Sequence, residues 1–488
     1  MAVKDLILGL DLGTSSLKGV YFTESGDIVT TFEVQLSLSR SGDMVEQDPN
    51  DYCRALKDFF AQSARDKNLV QRIRAIGLSG HTPSLVGIDT QGKPTFPAMI
   101  WQDNRAVDEA HQLAERFGDP NPIIGTSLPW SASGTAAKAM WVSHHLSDAA
   151  KRTRWLLQPK DYLGYLLTGA AISDPWSTKG LCNVRTGLPI DEILAFAGWK
   201  VDVVPALRDG FAHRGVTTSA SERSFGVPRD IPVSTGWSDA MCGMLALGVF
   251  SQPTSFIITG TSAIVGTSSS HEPKSQEPLY LIPPGSAPYP VTFGPTQMSG
   301  GSIAWAAQLF ASTELDFVAR GDSDVSDDVP IYLPYIAGER APLWRSDIRG
   351  SFSEISVEHG VSAFARATME GISFAERQVL ELSQDLSGTR TSEIILSGRA
   401  GNDPHWLKTR LRTLGKKLRV VNDVEITCRG SAILAHAMLS GDISSSTQVL
   451  QKSGIEHSPS DHDLEYGEQN FERFLKEQKY LLAKYNKS

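Results

Sequence analysis

Asp11 is the first residue whose type and setting can do chemistry: it stands just before the turn sequence Gly13-Thr14-Ser15, between two apolar runs. The exposed amides of such a turn can bind phosphate oxygens, while a nearby carboxylate holds the metal ion that accompanies them. Spacing alone also allows a plainer interpretation, in which Asp11 is a polar residue that starts a turn. The pattern therefore favours a metal and phosphate site at residues 11–15 and leaves the plainer alternative open.

A second turn of the same kind, Gly260-Thr261-Ser262, follows about half the chain length later, within TSFIITGTSAIVGT at 254–267. Ile258 takes the place of Asp11 there, so only the first copy carries a carboxylate. The repeat predicts two related lobes, each opening its core sheet with a tight hairpin. A phosphate tail is then expected to contact both turns, in a cleft between the lobes.

The elements that position these turns alternate between strands and helices, which is typical of α/β lobes. Residues 6–23 and 254–267 combine apolar runs with a central turn and are predicted to be hairpins. We further predict a strand at 73–78 and another at 393–396, helices at 53–60, 137–147, 155–168, 361–382 and 470–485, and a loop at 176–187.

The composition excludes several classes of protein. The 488 residues are 41% hydrophobic and 21% charged, which fits neither a disordered chain nor an integral membrane protein. A net charge of −9 provides no general attraction for nucleic acid or anionic lipid, so neither is expected as a partner. Four widely spaced cysteines without a CxxC pair predict free thiols, and the N-terminus resembles no signal peptide. These features predict a cytoplasmic protein.

Several strings in order resemble the FGGY family of carbohydrate kinases, within the actin-like and sugar-kinase ATPase superfamily, over nearly the whole chain. Within that family the likeness is greatest to xylulose kinases. The strings are GLDLGTSSLKGV at 9–20, VEQDP at 45–49, WQDNRA at 101–106, PKDYLGYLLTG at 159–169, ISDPWS at 172–177, GWSDAMCGMLALG at 236–248, ITGTSAIVG at 258–266, LPYIAGERAP at 333–342 and RGSAILAHAM at 429–438.

The resemblance implies an α/β fold with two ribonuclease-H-like lobes and a cleft between them. Residues 1–240 are expected to bind the sugar and organise magnesium, and residues 241–488 to bind the nucleotide. The implied activity is ATP-dependent phosphorylation of a sugar or polyol, with Mg²⁺. A homodimer is common among relatives.

The resemblance also assigns residues. Asp11 matches the magnesium-organising acid and Asp239 the general base, a role that suits a sugar hydroxyl because it is a poor nucleophile until its proton is accepted. An N-cap for the apolar helix that follows is the alternative for Asp239. The implied nucleotide contacts are Gly13, Thr14, Ser15, Lys18, Gly260, Thr261, Ser262, Gly398, Arg399, Ala400 and Asn402, and the implied acceptor contacts are His81, Thr82, Trp101, Asp103, Arg105 and Asp239.

Structural alternatives remain for some of these residues. Asp103 and Arg105 can form an ion pair with each other, and His81 can be a polar loop residue. We expect scaffold roles for the Gly338-Glu339-Arg340 string and for Lys160 with Asp161.

Three departures from the family border the ligands. Thr82-Pro83-Ser84 stands where xylulose kinases carry Met-His-Gly, so the usual histidine is absent and His81 is its possible substitute. Arg399 interrupts a run of glycines near the adenosine site. Trp237 and Ser238 replace small residues before the base.

The leading substrate is a ketopentose such as D-xylulose, with another ketose, a tetritol or a pentitol as alternatives. An ATP-driven clamp and a catalytically silent sugar-binding regulator are alternatives from other classes. The intact Asp11 and Asp239 argue against the regulator.

Overall fold

Both predicted hairpins form, and each lies in the middle of a β-sheet. The structure is a computed structural model that describes residues 5–66, 68–273, 275, 277–322, 327–398 and 403–486. The expected contacts Arg399, Ala400 and Asn402 lie outside the described residues.

The strands are β1 Leu6–Leu12, β2 Ser16–Thr23, β3 Ile28–Gln35, β4 Ser39–Ser41, β5 Met44–Gln47, β6 Ile73–Gly80, β7 Val86–Ile88, β8 Ala98–Met99, β9 Trp155–Leu157, β10 Ile172–Ser173, β11 Cys182–Asn183, β12 Leu188–Pro189, β13 Ala206–Leu207, β14 His213–Val216, β15 Pro232–Ser234, β16 Trp237–Ser238, β17 Ser255–Thr259, β18 Ala263–Ser268, β19 Tyr280–Ile282, β20 Val291–Pro295, β21 Ile331–Leu333, β22 Ser351–Ser353, β23 Glu393–Gly398, β24 Lys417–Val421 and β25 Ile455–His457. The helices are α1 Pro49–Ser63, α2 Val107–Phe117, α3 Asn121–Ile124, α4 Thr135–His145, α5 Ser147–Arg152, α6 Pro159–Thr168, α7 Asp191–Phe196, α8 Ser219–Phe225, α9 Asp239–Ala246, α10 Gly300–Leu309, α11 Glu314–Asp322, α12 Val361–Ser387, α13 Pro404–Leu414, α14 Ile426–Ser440, α15 Ile443–Leu450 and α16 Asp461–Tyr485.

The first sheet has the order β14-β15-β6-β1-β2-β3, and β16 also pairs with β6. Strand β1 is antiparallel to β2 and parallel to β6. Its residues from Leu6 to Leu10 are all buried, as expected for a strand covered on both faces. Helix α14 covers one face so closely that a Cβ on Gly77 would lie 1.8 Å from the carbonyl oxygen of Ser431.

The second sheet has the order β19-β20-β18-β17-β23-β24-β25. Strand β17 is antiparallel to β18 and parallel to β23, which is in turn parallel to β24. The order β20-β18-β17-β23-β24 repeats the order β3-β2-β1-β6-β15 of the first sheet. This repetition confirms the prediction of two ribonuclease-H-like α/β lobes.

The chain divides into two compact units that do not follow the expected division at residues 240 and 241. The first unit contains Met1–Ser251, Ile282–Pro288 and Glu425–Gln451, and the second contains Gln252–Leu281, Tyr289–Val424 and Lys452–Ser488. The expected boundary falls inside α9. Helix α14 joins the first unit because it packs on β1 and β6.

Two local predictions need correction. The helix expected at 155–168 begins only at Pro159, a residue suited to the first helical position, and residues 155–157 form β9 instead. The loop expected at 176–187 includes the short strand β11. No helix in the described part of the chain is long and apolar enough to cross a membrane.

Candidate active site

The register of three strands brings Asp11 and Asp239 to the same edge of the first sheet. Asp11 lies opposite Ser79, and Ser79 lies opposite Trp237, because β1 and β16 both run parallel to β6. Asp239 follows the last residue of β16 and begins α9. Ligands of α/β sheets bind at the carboxyl ends of the strands, and both carboxylates lie at such ends.

The Asp11 side chain is held by one hydroxyl and leaves one oxygen without a donor. The Thr427 hydroxyl donates to Asp11 Oδ2 at 2.9 Å, whereas Oδ1 is buried and has no hydrogen-bond partner among the described residues. Burial raises the pKa of Asp11 above its ordinary value, although Ser79, Thr427 and Lys18 act to lower it. An oxygen of this kind suits a metal ion or a water bound to one.

Asp239 is the first residue of α9, and the cap of that helix is its neighbour Ser238, whose side chain accepts from the Met241 amide. Asp239 Oδ1 accepts from the Ala240 amide at 2.7 Å. Burial and then the charge of Asp11 raise the pKa of Asp239 to about 7, against smaller lowering effects of the Ala240 amide and Lys179. A carboxyl that titrates near neutral pH is suited to general-base catalysis.

Two lysines of the first unit were not singled out from the sequence. Lys179 donates to the Trp176 carbonyl at 3.2 Å, and its charge lowers the pKa of Asp239. Burial lowers the pKa of Lys179 itself to about 8, although Asp174 and Asp239 raise it. Lys138 donates to the carbonyls of Pro83 and Ile100 at 3.1 and 2.6 Å. The isolated lysine in WSTKG was the available signal for the first of these.

The first turn, Gly13-Thr14-Ser15, joins β1 to β2 and is closed by the Gly13 amide, which donates to the Ser16 carbonyl at 2.9 Å. Trp101 Nε1 donates to the Thr14 hydroxyl at 2.9 Å, and the Trp101 side chain is 42% exposed. The structure therefore brings together an expected nucleotide contact and an expected acceptor contact. The expected nucleotide contact Lys18 forms an ion pair with Glu425, in which Lys18 Nζ lies 3.3 Å from Glu425 Oε2.

Asp103 and Arg105 form the ion pair that the sequence left as an alternative. Arg105 Nε lies 2.9 Å from Asp103 Oδ1, and Nη2 lies 2.5 Å from Oδ2. Arg105 also contacts Glu46 at 2.8 Å, and its guanidinium lies over the Trp141 ring. Asp103 is fully buried and accepts from the Val45 amide, so the pair fixes the segment that carries Trp101.

His81 lies beside the end of β6 and is 2% exposed. Its amide donates to the Leu12 carbonyl, and its Nδ1 pairs with the Ser84 hydroxyl at 2.8 Å. Nε2 is buried without a hydrogen-bond partner among the described residues. Burial and then Lys138 lower the pKa of His81 to about 3, so the imidazole is neutral. Thr82 follows in a half-buried position.

The strings at residues 160–161 and 338–340 make buried ion pairs and hydrogen bonds within the protein, as expected for scaffold roles. Lys160 contacts Asp161 at 2.6 Å and Asp174 at 2.9 Å, and all three side chains are buried. Glu339 accepts from the amides of Gln297 and Arg340, and Arg340 donates to the Thr296 carbonyl. These bonds hold the segment that leads to α10.

In the second unit, the turn Gly260-Thr261-Ser262 lies beside Gly398. Gly398 is paired with Thr259 at the end of β17 and has a φ of +97°. A Cβ at Gly398 would lie 2.0 Å from the Thr259 carbonyl oxygen, so this approach of β23 to β17 requires glycine. The structure thus brings together these two expected nucleotide contacts.

A cavity of about 810 Å³ opens beside this turn, within the second unit. Its wall includes Gly260, Thr261, Gly300, Gly301, Ala304, Asp403 and Trp406. Its size and its wall of glycines and apolar side chains suit a nucleoside.

The residues present fit a magnesium ion held together with a nucleotide. No group of three or more His, Cys, Asp or Glu side chains in the described ranges is arranged to hold a metal. Mg²⁺ commonly binds through one or two carboxylates together with substrate phosphates and waters. Asp11, with its unpartnered oxygen, would supply such a carboxylate.

Comparisons with known proteins match both units to one family. Residues 6–246 match the N-terminal domain of the FGGY family of carbohydrate kinases, and residues 255–439 match the C-terminal domain. A xylulose kinase of Staphylococcus epidermidis is 28% identical over 450 residues, covering 89% of this chain and 88% of that protein. A gluconokinase of Bacillus subtilis is 26% identical, covering 88% and 86%.

The fold is shared with solved structures. One described as a xyloylose kinase from Brucella ovis superposes with a TM-score of 0.90 at 24% identity, covering 98% of this chain and 99% of that one. Together with the two domain matches, this similarity extends over both units. The chain belongs to the FGGY family of carbohydrate kinases, enzymes that phosphorylate their substrates with ATP and Mg²⁺.

Proposed function

We propose that this chain transfers the γ-phosphoryl group of ATP to a hydroxyl of a small ketose, with D-xylulose as the leading acceptor. The observation that carries the chemistry is the placement of Asp11 and Asp239 at one sheet edge, with the pKa of Asp239 near 7. The acceptor itself is inferred from the xylulose kinases among the relatives.

In this proposal, the Asp239 carboxylate accepts the proton of the acceptor hydroxyl as its oxygen bonds to phosphorus. Asp11 holds Mg²⁺, which when bound neutralises charge on the phosphates. In the first unit, the turn Gly13-Thr14-Ser15 offers its amides to phosphate oxygens. In the second unit, the cavity beside Gly260-Thr261-Ser262 takes the nucleoside. Trp101, with its exposed ring next to Thr14, packs against the acceptor.

Residues 81–84 differ from the xylulose kinase pattern, so another ketose or a polyol is the second candidate acceptor. Pro83 offers no side-chain donor, and its carbonyl already accepts from Lys138. The hydroxyl that the absent family histidine would bind must therefore find a different partner. His81 Nε2 is our candidate for that partner, since it is buried without a hydrogen bond.

The test is ATP turnover with a panel of D-xylulose, D-ribulose, xylitol, erythritol, glycerol and gluconate, with an assay lacking acceptor as control. The highest kcat/KM for D-xylulose is the expected result. A clear preference for a different acceptor would support the kinase activity but would show that D-xylulose is not the acceptor. ATP hydrolysis independent of acceptor indicates a clamp, and acceptor binding without turnover indicates a silent regulator.

We also propose a cytoplasmic location and a homodimer. The location rests on Cys53, Cys182, Cys242 and Cys428, which are all free thiols. Light scattering on the purified protein tests the assembly, because a dimer has twice the chain mass of 53.0 kDa.

A further inference from the structure

Glu376 on α12 and Arg410 on α13 form an ion pair inside the second unit. Arg410 Nη2 lies 3.0 Å from Glu376 Oε1 and 3.1 Å from Oε2, and Arg410 Nε lies 3.2 Å from Oε2. Both residues are 0% exposed. Removing two charges from water is costly, so a pair of this kind is weak evidence for stability and calls for another explanation.

Glu376 connects the pair to one wall of the 810 Å³ cavity. The Ser299 hydroxyl donates to Glu376 Oε1 at 2.9 Å, and Ser299 immediately precedes α10. Gly300 and Gly301 follow in the cavity wall, where their amides donate to the carbonyls of Gly260 and Thr261 at 3.0 Å each. The position of Ser299 therefore sets the start of α10 against the second phosphate-binding turn.

Arg410 connects the pair to another residue of the wall. Its guanidinium lies 4.2 Å from the centre of the Trp406 ring, and Trp406 lines the cavity. Trp406 is one turn earlier on α13, whose N-terminus is capped by the cavity residue Asp403. Neither Glu376 nor Arg410 belongs to the wall formed by the described residues.

We infer that Glu376 and Arg410 are positioning residues for the nucleotide, which hold α10, the turn at residues 260–262 and Trp406 in the arrangement that binds it. This inference rests on the proposed assignment of the cavity to the nucleotide. Glu376 positions the cavity wall through Ser299, and Arg410 positions it through Trp406. In this inference neither charged side chain touches the nucleotide itself.

The test is ADP binding by isothermal titration calorimetry, with melting temperature and acceptor KM measured on the same samples. Ser299→Ala should weaken ADP binding about tenfold, the size expected when one buried hydrogen bond is lost. Glu376→Gln leaves the buried Arg410 without its counter-charge and should weaken ADP binding at least as much. The acceptor KM at saturating ATP should change less than twofold. The double variant Glu376→Leu with Arg410→Met removes both charges, and we expect it to melt near the wild-type temperature while ADP binding stays weak.

Two controls separate this inference from simpler accounts. Glu370→Gln alters another buried carboxylate on α12, which is bonded to Tyr466 and does not line the cavity, and it should leave ADP binding unchanged. Ala304→Trp places an indole ring in the cavity and should weaken ADP binding strongly.

Normal ADP binding by the double variant would reduce the pair to a structural role and overturn the inference. Normal ADP binding by Ala304→Trp would overturn it as well, by placing the nucleotide elsewhere. Neither result bears on acceptor phosphorylation, which the turnover panel tests independently.

Discussion

Asp11 and Asp239 leave the same edge of the first sheet, and the negative charge of Asp11 adds to burial in raising the pKa of Asp239. The Asp11 carboxylate thereby helps to set the pKa of Asp239. In the proposed mechanism, Asp11 is needed as a charge that holds Mg²⁺, and Asp239 is needed as a proton acceptor near neutral pH.

The first prediction is the pH dependence of kcat/KM for the acceptor. In the proposed mechanism Asp239 acts as the carboxylate, so activity should be present above its pKa and fall about tenfold for each pH unit below about 7. Initial rates at subsaturating acceptor between pH 5.5 and 8.5 measure this. A flat profile over that range contradicts the assignment.

The contribution of Asp239 to the free energy of unfolding should fall as pH rises, whereas kcat/KM should rise. A carboxyl whose pKa is raised in the folded state binds its proton more tightly there, so the free energy of unfolding falls as pH rises from about 4 to about 7. Asp239→Asn should lessen that fall, which urea unfolding at several pH values can detect.

Asp11→Asn tests the metal site. The amide retains an oxygen that accepts from Thr427, so the fold should persist, but the charge that binds Mg²⁺ is lost. The Mg²⁺ concentration for half-maximal turnover should rise about 10-fold to 100-fold, the typical effect of altering residues around a metal. Thermal melts run in parallel, and a variant that is unstable yet needs no extra Mg²⁺ removes Asp11 from metal binding.

Lys160→Met tests the scaffold role of the buried triad. The substitution leaves Asp161 and Asp174 without their cation, and breaking a buried pair in this way costs about 3–5 kcal/mol. Urea unfolding measures the loss. Lys151→Met is the matched control, because Lys151 pairs with Asp148 at the surface, and it should change stability little.

His81→Ala tests the acceptor contact that is most particular to this chain. If Nε2 binds an acceptor hydroxyl, kcat/KM for the best acceptor should fall by one or two orders of magnitude, the value of a buried hydroxyl left unpaired. ADP affinity should not change. An unchanged acceptor profile means that His81 serves only to bind Ser84 and the end of β1.

Local patterns were enough to predict the parts of the fold that depend on neighbouring residues. Both hairpins follow from apolar runs around a Gly-Thr-Ser turn, and the register of β1, β6 and β16 then brings the predicted acids together. The placement of Glu425–Gln451 in the first unit could not be predicted, because the packing of α14 on Gly9 and Gly77 is a contact between residues hundreds of positions apart. Arg105 was expected to face the acceptor, and only the structure reveals its contacts with Glu46 and Trp141.

The turnover number of Asp239→Asn tests directly whether Asp239 is the general base. The amide can still accept from the Ala240 amide, so folding and ADP affinity should match those of the wild type. The proton acceptor is lost, and kcat should fall by on the order of 10² to 10⁴. Near-wild-type turnover by the purified, folded variant would show that Asp239 is not the base and would contradict the mechanism.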